Sequence, residues 1–516
     1  MSGGRGRPAS SAEDITRARR RPDAALRETH ARGKKTGVCL YNGVRERPSL
    51  SNARRAELES PEQRPKGLEK HAHGNLRGDV RRRVIAFALV FAAALGVRLL
   101  CWADVRFEAL KVQSAVSQNY RHMARLLGEN GAASLYDPAS TTSEPDLLGH
   151  PPGYSFVLAS VYGVFGESDA AAQIFQLVCD ALAAALVFLI AAELLSFGVG
   201  VVAGLLAAFS PQLCWNSLTL LPDTLAVLPL LLAVYLLLHA REGRAVLKAL
   251  AAGALVGLSC WLRANALLLA PFLVLFAPLL FARGARRLPA LALVGGALLA
   301  VAPLTARNAL VFGHFIPVSL GAGQTLIEGI GDYDPAGRFG LPATDVELQR
   351  QEAEMYGRPE YATSLFGPDA IERDRARRAR SLGVIRAHPF WFAGVMARRA
   401  STMLRLERTP LASTLPVSEG WTRAPRLVVR AVQKLFITAV FLPLQLFGLA
   451  ALARGRRWHA LAALLAVPLY YLCVQSALHT EYRYVLAVQY FLLVPAALAL
   501  RQAGCGAWGK WSGRRG

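Results

Sequence analysis

Long apolar blocks that are nearly free of charge constrain this chain more than any other feature of its sequence. Blocks such as 84–102, 218–240, 247–262 and 288–305 run to roughly 16–23 residues, the length that a helix needs to cross about 30 Å of hydrocarbon. Because no water is available there, the backbone groups of each block must bond within a helix. Of all 516 residues, 53% are hydrophobic and 18% are charged, unlike a soluble domain. The sequence therefore predicts an all-α membrane protein with many spans.

Ten membrane spans are expected from these blocks. They cover residues 84–102, 170–193, 197–212, 218–240, 246–262, 264–282, 288–306, 431–453, 458–476 and 484–500. Three arginines, Arg81, Arg82 and Arg83, directly precede the first span, and the short turns after the fourth, sixth and eighth spans are also basic. By the positive-inside rule, these turns and both chain ends lie on the cytoplasmic side of the cell's inner (plasma) membrane. Two long loops, 103–169 and 307–430, are then expected on the outer side.

The two ends of the chain differ from the apolar middle. Residues 1–80 are rich in Arg, Pro, Ser and Gly without apolar periodicity, which predicts a disordered basic tail. A transmembrane domain follows at 81–500, and residues 501–516 form a second basic tail. No short apolar core with a cleavage site precedes the first span, so this span is expected to act as an uncleaved anchor. The net charge of +23 resides largely in the first tail and beside the spans, which indicates membrane orientation and not nucleic-acid binding.

Polar residues cluster at the outer ends of the predicted spans. A transporter keeps its charged groups near the membrane midplane, whereas Asp180 is the one mid-span acid here, with Gln176 one turn before it. We interpret these two side chains as interhelical hydrogen-bonding groups. The pattern favours a catalytic chamber at the outer surface over a transporter or flippase of a lipid-linked substrate, which hydropathy alone leaves open.

Five segments with distinctive polar and aromatic residues follow one another along the chain. They are NYRHMARLL with LLGHPPGYSFVLASVYGVFG around Tyr120 to Gly166, LLPDTLAVLPLLLAVYLLL, GLSCWLRANALLLAPF, PLTARNALVFGHFIPVSLGAGQTLIEG and HTEYRYVLAVQYFLLVPAAL. Together they resemble the GT-C class of membrane glycosyltransferases, in particular the bacterial family 39 and aminoarabinose-transferase-like group, which is related to protein O-mannosyltransferases. The resemblance covers about residues 84–500. It implies a GT-C-like bundle of about ten transmembrane helices with two long outer loops.

The resemblance also implies a reaction. It is the inverting transfer of a sugar from a polyprenyl-phosphate carrier to a lipid, glycan or protein acceptor on the outer face. Such a donor has its tail in lipid and its phosphate at the outer headgroup level, so the enzyme needs cations at the outer ends of its spans. His150, Arg263, Arg307 and Arg483 hold such positions and are predicted to bind the donor phosphate. The alternative is that the arginines only anchor helix ends.

Transfer also needs a carboxylate within reach of the acceptor's proton. In the resembled family, an acid precedes the loop tyrosine, but Val116 and Ser117 occupy the equivalent positions here. A catalytically inactive relative therefore remains an alternative. Asp223, at the outer head of a span, is the preferred base, and helix capping is its alternative role. The other candidate carboxylates are Asp104, Glu108 and Asp146.

Three acidic residues in and directly after a glycine-rich stretch, Glu328, Asp332 and Asp334, could bind a divalent cation. An ordinary solvated loop is the favoured interpretation, so no metal site is predicted and a cation requirement stays open. The stretch lacks the Gly-Lys-Ser/Thr ending of a phosphate-binding loop, which gives a nucleotide-sugar donor no support. The seven cysteines show no metal or redox spacing.

Overall fold

The computed structural model describes residues 66–282, 284, 286–406 and 419–512, with side-chain detail from residue 78 to residue 504. Most of the predicted amino-terminal tail lies outside these residues, as does the end of the predicted carboxyl-terminal tail. The described parts of the two tails, residues 66–80 and 501–512, are helical, so the structure shows helix at 66–80, where the sequence predicts disorder.

Every regular element in the described part of the chain is helical. The α-helices, numbered in chain order, are α1 (Lys66–Lys111), α2 (Ser114–Asn130), α3 (Gly153–Phe165), α4 (Asp169–Leu194), α5 (Phe197–Phe209), α6 (Pro211–Leu218), α7 (Asp223–Leu238), α8 (Ala245–Leu262), α9 (Leu269–Val274), α10 (Ala277–Leu280), α11 (Arg287–Phe312), α12 (Ala322–Gly331), α13 (Asp345–Tyr356), α14 (Ala370–Ala387), α15 (Pro389–Met403), α16 (Arg423–Gln433), α17 (Thr438–Arg454), α18 (Trp458–Ser476) and α19 (Leu486–Ser512).

Seven helices of the described residues are long and apolar enough to cross a membrane, and the number rises to nine if each of two bent pairs counts as one span. The seven lie in α1, α4, α7, α8, α11, α18 and α19. The bent pairs are α5 with α6, which meet at 50°, and α16 with α17, which meet at 61°. The predicted all-α, multi-span membrane fold is therefore confirmed.

The segment 264–282, expected to be a single span, is not a continuous helix. It is divided into α9 and α10, which are 6 and 4 residues long. Pro271 lies in the first turn of α9 and Pro278 in the first turn of α10, where a proline cannot donate the amide hydrogen bond that would continue a preceding helix. By length and composition alone, the described residues give seven to nine spans, and this broken segment is not among them.

Helices α8 and α11 pack against each other and run in the same direction. Gly253 faces Leu293 and Gly257 faces Ala297, so residue numbers rise together along both helices. A Cβ at Gly253 would lie 1.9 Å from the Leu293 carbonyl oxygen, so the close approach requires glycine. Arg244, just before α8, lines one cavity with the start of α11. Because both helices start on this basic side, the chain between them must return through the broken segment α9–α10.

A buried ion pair joins α1, α4 and α19 inside the bundle. Arg98 is 0% and Asp180 1% exposed, and the Asp180 carboxylate accepts hydrogen bonds from Arg98 Nε and from the Tyr490 hydroxyl. Arg98 also donates to the carbonyls of Ala208 and Ala207, at 3.2 and 3.3 Å. Each buried charge thus has its partner, as stability in an apolar environment requires. This arrangement agrees with the interpretation of Asp180 as an interhelical group.

Two groups of shorter helices lie on the side opposite the basic turns. Helices α2 and α3 follow the first span, and α12 to α16 follow α11. The second group has its own charged core, in which the buried Glu352 accepts from Arg373 at 2.8 Å and from Arg377 at 2.6 Å. Arg399 of α15 donates to the Ser476 carbonyl at 2.8 Å, which fastens this group to α18. Both long loops are therefore folded against the ends of the spans.

Candidate active site

Three predicted site residues meet at the ends of spans on the side of the long loops. Asp223 is the first residue of α7, Arg263 directly follows α8, and Arg483 lies in the one-turn 3₁₀ helix before α19. Arg263 Nε lies 3.0 Å from Asp223 Oδ1, and Arg483 Nη1 lies 3.5 Å from Asp223 Oδ2. The carboxylate is therefore placed between two guanidinium groups that come from distant parts of the chain.

The Asp223 carboxylate is buried, with 6% of the residue exposed, and neither oxygen accepts a hydrogen bond from a described group. Pro222 precedes it with φ of −73°, which suits the start of a helix, and the positive end of the helix dipole favours a negative charge there. A capping aspartate would accept a backbone N–H from the first turn. Asp223 does not, so its lone pairs remain directed at the two arginines and at the space between them.

Glu481 is a fourth charged member of this cluster, and the sequence analysis missed it. Its two oxygens accept from Arg483 Nε at 2.8 Å and from Arg483 Nη2 at 2.9 Å. Burial tends to raise the pKa of Glu481, but the hydrogen bonds and charge of Arg483 outweigh it and hold this pKa below its usual range. The Tyr484 ring lies under both arginines, with its centroid 4.3 Å from the Arg263 guanidinium carbon and 4.8 Å from that of Arg483. The two cations and two carboxylates make the cluster electrically neutral.

The first outer loop supplies an aromatic wall beside these charges. The Tyr120 ring lies 5.1 Å from the His150 ring and 5.0 Å from the Tyr154 ring, measured between centroids. Tyr120 is 2% exposed, and burial raises its pKa to about 12 although Arg263 opposes this shift. The phenol is therefore neutral and can act as a hydrogen-bond donor beside the arginine.

The two prolines that follow His150 set the backbone conformation that places its ring beside Tyr120. The residue before a proline is confined to extended backbone, and His150 has φ of −130° and ψ of 142°. Burial of the ring, followed by the charges of Arg263 and Arg483, lowers its pKa to about 4. His150 is thus neutral at physiological pH, so it can offer a phosphate or a leaving oxygen a hydrogen bond but no positive charge.

Arg307, predicted as a phosphate ligand, is not part of the cluster. Its guanidinium donates to the Leu135 carbonyl at 3.1 Å, to Asn308 Oδ1 at 3.0 Å and to the Thr142 carbonyl at 3.0 Å. These bonds hold the short helical turns of the first outer loop against α11. The structure places Arg307 in loop packing, away from Asp223.

The other predicted carboxylates also lie outside the cluster. Asp104 is held by Arg426 at 2.6 Å and Arg430 at 3.0 Å, which fastens α16 to α1. Glu108 pairs locally with Lys111 at 2.8 Å. Asp146 is exposed and accepts a hydrogen bond from a serine of the second loop. Of the four candidate bases, only Asp223 faces the two arginines.

The positions where the resembled family carries its acid are filled by packing residues. Val116 packs with Tyr120 and Tyr154 in a small apolar cluster. Ser117 is 3% exposed, and its hydroxyl donates to the Ser114 carbonyl at 2.9 Å. No carboxylate from α2 therefore approaches Asp223.

The three acidic residues of the glycine-rich segment, Glu328, Asp332 and Asp334, do not converge on one point. Glu328 is buried, and burial together with the neighbouring Asp345 raises its pKa to about 10. Asp332 pairs with His479 at 2.8 Å, and Asp334 accepts from the Phe339 amide at 2.8 Å. Among the described residues, no group of three His, Cys, Asp or Glu side chains is placed to hold a metal ion.

A small cavity lies between the charged residues. It is lined by Asp223, Arg263 and Arg483 together with Asn265 and Tyr471, and its volume is about 10 Å³, roughly the room for one water molecule. A sugar therefore requires part of this wall to move. The fold and the site together define an integral membrane protein that has a closed cluster of paired charges at one end of its spans.

The comparisons with known proteins specify this class further. A family model described as dolichyl-phosphate-mannose-protein mannosyltransferase matches residues 149–306. The match confirms the resemblance to GT-C membrane glycosyltransferases, and the matched segment contains His150, Asp223 and Arg263. No curated protein matches the chain.

Solved structures that match the chain include an archaeal oligosaccharyltransferase and ArnT. The apo oligosaccharyltransferase of Archaeoglobus fulgidus is 16% identical with a TM-score of 0.46, and the match covers 81% of this chain and 50% of that one. ArnT from Cupriavidus metallidurans, solved with bound undecaprenyl phosphate, is 17% identical with a TM-score of 0.33, over 84% of this chain and 79% of that one. The chain thus spans about half the length of the oligosaccharyltransferase.

Proposed function

We propose that this protein is an inverting glycosyltransferase that moves a sugar from a polyprenyl-phosphate donor to a lipid, glycan or protein acceptor at the outer face of the plasma membrane. The family model supports a lipid-phosphate sugar donor, because the proteins it describes are dolichyl-phosphate-mannose-dependent. The observation that carries the proposal is the position of the Asp223 carboxylate. It is buried between Arg263 and Arg483, and neither of its oxygens accepts a hydrogen bond from a described group. Basic turns on the opposite side support cytoplasmic chain ends.

In the proposed reaction, Asp223 is the general base. The acceptor's oxygen or nitrogen forms a bond to the anomeric carbon, its proton passes to the Asp223 carboxylate, and the bond from the anomeric carbon to the phosphate oxygen breaks. The electron pair of that bond stays on the phosphate. Attack from the face opposite the leaving group inverts the anomeric centre.

The charge balance of the cluster favours this reaction. With Asp223 ionised, Arg263, Arg483, Asp223 and Glu481 sum to zero. When Asp223 takes up the proton, the cluster gains one net positive charge at the moment when the phosphate gains negative charge. The two guanidinium groups therefore stabilise the transition state more strongly than the ground state, as catalysis requires.

The alternative function, transport of a lipid-linked substrate, would need charged groups that face a path near the membrane midplane. The mid-span charge that hydropathy left unexplained, Asp180, is paired with Arg98 and hydrogen-bonded to Tyr490 in a fully buried contact. A substrate path at the midplane needs polar groups that face a cavity, and this pair faces neighbouring helices.

The test is transfer by the purified protein in lipid nanodiscs, with radiolabelled polyprenyl-phosphate sugars and membrane lipids as acceptors. Asp223→Asn is expected to lower kcat by about 10²–10⁴-fold, the usual contribution of a general base. The same variant should bind a long-chain polyprenyl monophosphate more tightly, because an uncharged amide no longer competes for the arginines. Glu108→Gln and Asp146→Asn are matched controls that remove carboxylates outside the cluster and should keep wild-type activity.

Two results would contradict the proposal. Wild-type activity in Asp223→Asn would remove this residue from the role of base. The absence of transfer with every donor tested would refute the enzymatic function as a whole.

A further inference from the structure

Glu481 holds Arg483 in one orientation. Its two oxygens engage Arg483 Nε at 2.8 Å and Nη2 at 2.9 Å, which is the paired geometry that fixes both the position and the plane of a guanidinium group. The third nitrogen, Nη1, is buried, donates no hydrogen bond to a described group, and lies 3.5 Å from Asp223 Oδ2. Glu481 therefore takes up two nitrogens of Arg483 and leaves the third directed at the site.

The same carboxylate reaches the first outer loop. Glu481 Oε1 accepts from Gln113 Nε2 at 3.2 Å. Gln113 lies at the break between α1 and α2, with φ of 50° and ψ of 45°, a left-handed conformation that is strained for a residue other than glycine. A strained backbone at this position persists only if surrounding contacts determine it. The contact with Glu481 thus links the start of α2, which carries Tyr120, to the arginine across the site.

We propose that Glu481 is a positioning residue, which orients Arg483 toward the donor phosphate and ties the α1–α2 break to the same guanidinium group. This inference rests on the proposed function, in which Arg483 binds the donor phosphate. Glu481 itself does not touch the reacting atoms. It sets the direction of Arg483 Nη1, and through Gln113 it keeps α2, which carries Tyr120, beside the site. One side chain thus aligns the arginine and the aromatic wall with each other.

The test compares four variants in nanodiscs. Glu481→Gln keeps the shape of the side chain and removes its charge, Glu481→Asp restores the charge on a shorter side chain, and Gln113→Ala removes only the contact with the loop. Glu360→Gln is the matched control, because Glu360 also pairs with an arginine two residues away, Arg358, at 2.7 Å, but on the exposed surface of the second loop.

The first measurement is the affinity for a long-chain polyprenyl monophosphate, together with donor KM and kcat in turnover. Glu481→Gln is expected to weaken phosphate binding and raise donor KM by about tenfold, the size of losing one charge-assisted hydrogen bond, with a smaller change in kcat. Glu481→Asp should recover most of the affinity, and Glu360→Gln should match the wild type. A merely structural role would lower the yield of folded protein without this division between KM and kcat.

The second measurement is hydrogen exchange of the backbone in residues 111–130. Faster exchange is expected in Glu481→Gln and in Gln113→Ala, and wild-type exchange in Glu360→Gln. Unchanged or tighter phosphate binding in Glu481→Gln would overturn the inference, since it would make Glu481 a competitor for Arg483. If the wild type itself binds no polyprenyl phosphate, the donor proposal fails. The claim that Glu481 holds the α1–α2 break is then tested by hydrogen exchange alone. A wild-type exchange rate in residues 111–130 of Glu481→Gln would overturn that claim as well.

Discussion

The neutral state of His150 makes the stability of the folded protein depend on pH in a defined window. Burial and the charges of Arg263 and Arg483 lower the pKa of His150 from 6.5 to about 4. Between these two values, the unfolded chain binds a proton that the folded protein does not bind. Stability therefore falls as the pH falls from about 6.5 toward 4, and this contribution is constant above and below that window.

The magnitude follows from the size of the shift. A difference of about 2.5 pKa units corresponds to about 3.4 kcal/mol in full, at 1.36 kcal/mol for each unit. At pH 5, the unfolded histidine is almost fully protonated and the folded one is almost fully neutral, so about 2 kcal/mol of this is already lost. That loss is a substantial fraction of a typical folding free energy.

The assay is unfolding of the nanodisc-embedded protein at pH 8 and pH 5, for the wild type, His150→Gln and the control His122→Gln. His122 is an exposed histidine on α2. The loss of stability between pH 8 and pH 5 is expected to be smaller in His150→Gln than in the wild type by about 2 kcal/mol, and the control should follow the wild type. Identical pH dependence in wild type and His150→Gln would refute the placement of a neutral His150 beside the two arginines.

Two further predictions concern the bundle. Arg98→Met leaves Asp180 buried without its partner and is expected to destabilise the protein by about 3–5 kcal/mol. Adding Asp180→Leu should recover much of this loss in thermal unfolding, and a double variant as unstable as the single one would contradict the pairing. Gly253→Ala places a Cβ 1.9 Å from a backbone oxygen of α11 and should lower stability by about 1–3 kcal/mol through overpacking. Gly295→Ala, where a Cβ meets nothing within 4 Å, is the control, and equal melting temperatures for the two variants would refute the close helix contact.

The membrane fold was largely predictable because hydropathy is a local property of the chain. Each long apolar block marks its own span without reference to the rest of the protein. The exceptions are the breaks within apolar segments. The segment 264–282 is as apolar as its neighbours but contains two prolines at helix starts. Helix α16, at the end of the second loop, bends by 61° into α17. Composition does not encode where such a break falls.

The structure brings together only part of the predicted site, and the reason lies in long-range contacts. Asp223, Arg263 and His150 stand beside motif residues that fix their backbone, such as the prolines before Asp223 and after His150. Arg307 has a similar place in the sequence, but its partners are backbone carbonyls of residues far away in the chain. Sequence position predicts which end of a span an arginine occupies and does not predict which acceptor it finds. Glu481 was available as the acid two residues before Arg483, a spacing that allows a paired contact.

The proposed reaction gives Asp223 one role before the donor binds and another role afterwards. Two buried guanidinium groups need negative partners when no donor is present, because an unpaired buried charge is costly, and Asp223 and Glu481 supply them. A donor phosphate brings its own negative charge and can replace Asp223 as the partner of Arg263 and of Arg483 Nη1, while Glu481 keeps hold of the other two nitrogens of Arg483. Asp223 is then free to accept a proton. In the proposed enzyme, the donor must therefore bind before the acceptor is deprotonated, since the carboxylate that pairs with the arginines before binding becomes available as a base only when the phosphate has taken its place.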